Sequence, residues 1–89
     1  MDSRLHYSIM PTESKFKNIP KELATAIRKK RKKLNLSQEE VAARSEIDRS
    51  YINRIECGKA SVSVVIACRI AKALNTSLSR IMKEVETNL

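Results

Sequence analysis

Arg49, Ser50, Asn53 and Arg54 fall within one short segment, and their side chains are built for hydrogen bonding rather than bond making. A guanidinium is a planar fork that satisfies two acceptors at once, such as the oxygens of a phosphate or the O6 and N7 edge of guanine. Ser50 can donate or accept, and an Asn53 amide carries one acceptor and one NH2 donor. Covalent chemistry has no comparable set. No pair of carboxylates, no Ser/His/Asp group and no Cys/His group converges by spacing, so no enzyme activity is expected. His6 is the only histidine, and Cys57 and Cys68 stand without a C-x-x-C pair, so no metal, cofactor or disulfide is expected.

The elements that must position these residues are marked by their ends. Ser37 with Glu40 three residues later forms a capping box, and Val41 and Ala42 turn inward on a helix that runs to about Ser45. Asp48 is a second N-cap, Ile52 and Ile55 define a new buried face, and Gly58 stops the helix. Two helices with about three residues between them make a helix-turn-helix, in which the second helix, here residues 49–57, enters the major groove of DNA. Arg49, Ser50 and Arg54 share its outward face. Asn53 sits at the edge of that face, and Tyr51 packs against the helix pair or touches the DNA backbone.

The opening Ser37-Gln38-Glu39-Glu40, Ala42 at the helix crossing, Ile47 in the turn, Ile52 and Ile55 in the core, and the exit Ile55-Glu56-Cys57-Gly58-Lys59 resemble the Cro/cI-type, or XRE, helix-turn-helix family of repressors. The likeness covers roughly residues 21–86 and implies an all-α, five-helix, lambda-repressor-like DNA-binding domain. One departure stands out. Glu46 occupies the turn position where the family carries Gly, and a left-handed non-Gly residue costs about 1–2 kcal/mol. The resemblance further implies that Arg49, Ser50, Asn53 and Arg54 read bases, that Arg28, Lys29, Lys32 and Lys33 approach phosphates, and that Arg31 pairs with Glu56 to tie the first helix to the third. The short form and the 47–52 segment are similar to restriction-modification controller proteins and to small phage repressors. An antitoxin that neutralises a partner toxin and represses its own operon is the alternative.

The rest of the chain agrees with a small DNA-binding domain. Its 89 residues suffice for one core, and a net charge of +8 with a pI near 9.9 calls for an anionic partner. Aromatic residues make up 3% and Trp is absent, which leaves little for stacking on single strands and favours duplex DNA over RNA. One Gly and two Pro fit helices with short connections. No apolar run approaches the roughly 18 residues of a membrane span, so no membrane association and a cytoplasmic location are expected.

In chain order, residues 1–19 read as an arm and residues 20–89 as the domain. Leu5, Tyr7 and Ile9 alternate with His6 and Ser8, the pattern of a pairing strand or of a frayed tail, the tail being preferred. Pro20 opens a helix whose buried stripe is Leu23, Ile27 and Leu34 and whose end is the run RKKRKK at 28–33. Ser63 and Ser77 cap two further helices. Val64, Val65 and Ile66, with Leu78, Ile81, Met82 and Val85, offer either a dimer seam or the closing layer of the core. Gln38, Lys59 and Arg44 are expected on phosphates, fixing register without reading sequence. A homodimer on a pseudo-palindrome, with recognition helices about 34 Å apart, is the expected assembly.

Overall fold

The protein is described by a computed structural model over residues 15–89, and the alternating Leu5 to Ile9 segment lies outside them. Five helices run through the described residues: α1 (Ile19–Lys33), α2 (Gln38–Ser45), α3 (Arg49–Glu56), α4 (Val64–Ala73) and α5 (Leu78–Thr87). Four of them start where the sequence supplies a side-chain cap, and α1 starts with Pro20 in its first turn and no side-chain cap. The Ser37 hydroxyl accepts from the Glu40 N–H while the Glu40 carboxylate accepts from the Ser37 N–H, and Asp48, Ser63 and Ser77 cap the next three helices. Helix α1 opens at Ile19, ahead of the boundary drawn at Pro20, because Ile19 packs against the core.

Four helix ends are closed by one device. After α1, α2, α3 and α4 the chain turns through a left-handed residue, Asn35, Glu46, Gly58 and Asn75 in turn. Behind each, two N–H groups fold back on the last turn, as in Leu36 N–H to the Arg31 carbonyl and Ile47 N–H to the Ala42 carbonyl. Three of the four lack glycine, and Asn35 and Asn75 tolerate the conformation better than Glu46 does. At Gly58 a Cβ would also lie 3.3 Å from the Lys21 Cα, so the end of α3 approaches the start of α1 closely.

Helix α1 is the spine. It packs against α3 on one flank and α5 on the other, while α2 packs against α3 and α4. Ile27, Val41, Ile52, Ile55, Ile70, Leu74 and Val85 are the largest fully buried side chains, with Ile81 closing the α5 side. Ile81 and Val85 therefore belong to the core, and the apolar side chains of α5 half-buried at its margin are Leu78 and Met82. Val64 and Val65 stay 70% and 64% exposed. No helix among the described residues is long and apolar enough to cross a membrane.

Candidate nucleic-acid interface

The surface that presents Arg49, Ser50, Asn53 and Arg54 is set by the seam beneath it. Glu56, at the last turn of α3, is buried, and burying a lone carboxylate costs several kcal/mol unless it is fully paired. Arg31 meets it with both prongs, Nε to Oε2 at 2.7 Å and Nη2 to Oε1 at 2.9 Å, and its Nη1 reaches the Leu36 carbonyl at 2.9 Å. The side chains are 13% and 2% exposed. The hydrogen bond to Glu56 raises the already high pKa of Arg31, so the guanidinium keeps its charge. Arg28 adds Nη1 to the Glu56 backbone carbonyl at 2.7 Å, satisfying an end of α3.

The same carboxylate holds the start of α2. Gln38 Nε2 donates to Glu56 Oε1 at 3.2 Å and to Asn53 Oδ1 at 3.3 Å. Three helices are thus joined by polar contacts from α1 through α3 to α2. Among the described residues no buried side-chain nitrogen or oxygen lacks a partner.

These contacts separate the side chains expected on phosphates. Arg28 is turned into the protein rather than toward solvent. Both hydrogens of the Gln38 amide are used internally, so at this helix start the donors free for an anion are the backbone N–H groups of Gln38 and Glu39, since Ser37 and Glu40 donate to one another's side chains. Lys33 lines a groove between α1 and α5 with Ala26, Lys29, Lys30 and Glu84, on the flank of α1 away from α3. Arg44 extends toward the Ala73 carbonyl at 3.4 Å, at the end of α4. The six-cation run is therefore split: Arg28 and Arg31 serve the α3 seam, Lys29, Lys30 and Lys33 the α5 side, and Lys32 is exposed. Lys59 is exposed directly after α3, and Tyr51 is half-buried against the core.

The reading face itself is open. Arg49, Ser50, Asn53 and Arg54 are all exposed, whereas Ile52 and Ile55 between them are buried. The Ser50 hydroxyl and N–H both donate to the Asp48 carboxylate. These bonds, the hydroxyl's first, hold the Asp48 pKa below its ordinary value. Ser50 therefore turns lone pairs outward, which its sequence position alone did not reveal. Nor did sequence reasoning find the links from Gln38 to Asn53 and from Arg28 to Glu56, whose signal was only a set of long polar side chains around one buried glutamate. Among the described residues no group of three His, Cys, Asp or Glu side chains could hold a metal.

A helix-turn-helix family model matches residues 27–81. The control protein C.MunI of a Mycoplasma species is 41% identical over 57 residues, 64% of this chain and 77% of that protein. The crystal structure of the restriction-modification controller protein C.AhdI from Aeromonas hydrophila superposes with a TM-score of 0.66 at 33% identity, covering 67% of this chain and 91% of that one. The controller protein C.Esp1396I, solved as a tetramer with its natural 35 base-pair operator, superposes at 0.68 with 26% identity over 76% of this chain and 95% of that one.

Proposed function

This chain belongs to the XRE-type helix-turn-helix family that includes the restriction-modification control proteins, and on that premise we propose that it is a sequence-specific regulator of transcription that binds double-stranded DNA as a homodimer. The observation that carries this is the exposed row Arg49, Ser50, Asn53 and Arg54 on a helix clamped from behind through Glu56. Arg49 and Arg54 are suited to guanine, and each bidentate contact discriminates by about 1–3 kcal/mol. Backbone N–H groups at the start of α2, Lys59 and Lys32 fix the register on phosphates. A single such helix reads few base pairs, so a second copy on a pseudo-palindrome supplies the remaining affinity. Val64 and Val65 are the apolar surface of α4 available to that copy.

The protein acts without enzymatic chemistry, in the cytoplasm with its DNA, and the reading as the controller of a restriction-modification system follows its relatives. The antitoxin alternative draws no support from them. Selection from a pool of random duplexes, followed by sizing of the complex, tests the proposal. Enrichment of one pseudo-palindrome containing G·C pairs, bound by two or more copies, is the expected result. A pool that returns unenriched overturns it. Arg54→Ala should relax preference at one base pair, whereas Lys59→Ala should weaken every duplex alike and reduce the salt slope by about 1. Equal losses on selected and random DNA from both changes would sink this division of roles.

A further inference from the structure

The polar chain behind the reading face has a direction, and the direction is fixed at its origin. Arg31 can only donate and the Glu56 carboxylate can only accept. Glu56 Oε1 takes Arg31 Nη2 and also Gln38, so it must receive the Gln38 NH2 group and not the Gln38 oxygen. With its nitrogen held there, Gln38 turns its second hydrogen to Asn53, which must present Oδ1 to receive it. The Asn53 Nδ2, with two hydrogens, is left as the group free on the exposed surface. A permanent charge on α1 thereby sets the polarity of an amide on α3.

We propose that Asn53 is a donor-presenting reading group, held so by the positioning residue Gln38, and that it selects a keto base, guanine or thymine, over an amino base at one base pair of the half-site. The inference rests on the DNA-binding reading above. An unconstrained asparagine favours adenine, because Oδ1 accepts from N6 while Nδ2 donates to N7. Turning Oδ1 to Gln38 withdraws half of that pair. What remains is a pair of donors, which matches the O6 and N7 of guanine or the O4 of thymine, whereas adenine offers N7 alone with its N6 amino group beside it donor against donor, and cytosine offers only its N4 amino group.

The test uses the full chain and a palindromic duplex taken from the wild-type selection, with each symmetric position varied through all four base pairs. The base pair facing Asn53 is the one whose preference disappears in Asn53→Ala. At that pair the wild type should favour guanine or thymine by about three- to tenfold per half-site, the worth of one hydrogen bond. Gln38→Met keeps the length of the side chain and removes both of its donors, so adenine should rise to within about twofold of the favoured base, that hydrogen bond's discrimination being lost. Asn53→Asp presents lone pairs instead and should move the preference to cytosine, whatever it does to affinity as a whole. A wild type that favours adenine there, a Gln38→Met profile identical to wild type, or an Asn53→Ala that erases no preference would each overturn the proposal. Those outcomes are distinct from failure of the DNA-binding reading, in which no duplex is enriched at all.

Discussion

The two flanks of α1 hold their partners by different physics. Toward α5 the contact is apolar, with Ala26, Ile81 and Val85 buried and the cations kept to the rim. Toward α3 the contact includes a buried, doubly hydrogen-bonded ion pair and one further polar link, Arg28 to the Glu56 carbonyl, and Gln38 of α2 joins the same carboxylate. Apolar contact is non-directional and roughly proportional to area, so it stabilises without fixing rotation. Hydrogen bonds fix angles. On the proposed function, in which four side chains are presented to a groove, the directional contacts lie beneath the presenting helix and the non-directional ones elsewhere.

Glu56→Ala should make the largest difference, because it leaves the Arg31 guanidinium without its partner beneath α3. Breaking such a pair costs about 3–5 kcal/mol. Since 1 kcal/mol corresponds to about 4–8 °C in a domain of this size, melting should fall by more than about 10 °C. A variant melting within a few degrees of wild type would show the pair to be dispensable. The double change Arg31→Met with Glu56→Leu sharpens the contrast. It should recover most of the stability, as apolar replacements of buried pairs do, yet select a less defined DNA sequence, because α3 then sits on a surface without direction.

Ile81→Ala probes the opposite flank. Ile81 is 6% exposed, and truncation there should cost about 2–3 kcal/mol by thermal or denaturant unfolding. Base preferences measured well below the melting temperature should be unchanged. Altered preferences in this variant would abolish the distinction between the two seams.

Apolar contacts were legible in the sequence as periodicity, although Ile81 and Val85 read equally as a dimer seam or as the closing layer of the core. Leu23 and Ile27 on α1 and Ile70, Ala71 and Leu74 on α4 repeat at helical spacing, and spacing is what burial imposes. The caps Ser37, Asp48, Ser63 and Ser77 were legible for the same reason, being local. The polar seam was legible only in part. Arg31 falls on the apolar stripe between Ile27 and Leu34, but its partner lies 25 positions away and came from the family resemblance. Arg28, Lys33 and Arg44 read as equivalent cations in the chain; the fold gives each a different neighbour because three-dimensional placement, not residue type, decides which face of a helix meets which partner. The left-handed ends at Asn35 and Asn75 carried no signal beyond their residue type.

The turn that joins α2 to α3 carries the one strained residue of the recognition unit that a substitution can relieve. Glu46 has φ +58, its side chain is exposed, and no ion pair or side-chain hydrogen bond is formed by it among those described. Glu46→Gly should therefore stabilise the domain by about 1 kcal/mol, the cost of a left-handed residue less the chain entropy of glycine. Melting should rise by about 4 °C. A fall in melting temperature would mean that Glu46 contributes more than its backbone costs.

The smallest effect concerns acid. Helices α2 and α3 begin on caps that include carboxylates, whereas α4 and α5 begin on serines alone. Hydrogen bonds from the Ser37 N–H and hydroxyl hold Glu40 below its ordinary pKa, and those from Ser50 do the same for Asp48. A carboxylate with a depressed folded-state pKa adds stability that is complete above its unfolded pKa of about 4 and is lost as pH falls through the folded value. The recognition half should consequently loosen first in acid: amide exchange in α2 and α3 should accelerate below about pH 4 relative to α4 and α5. Asp48→Asn keeps a capping oxygen but no titrating group, so it should remove part of the acid slope of stability, and Glu40→Gln should remove another part. If the double variant keeps the full slope, or if α4 and α5 open first, the asymmetry between the two halves does not extend to their caps.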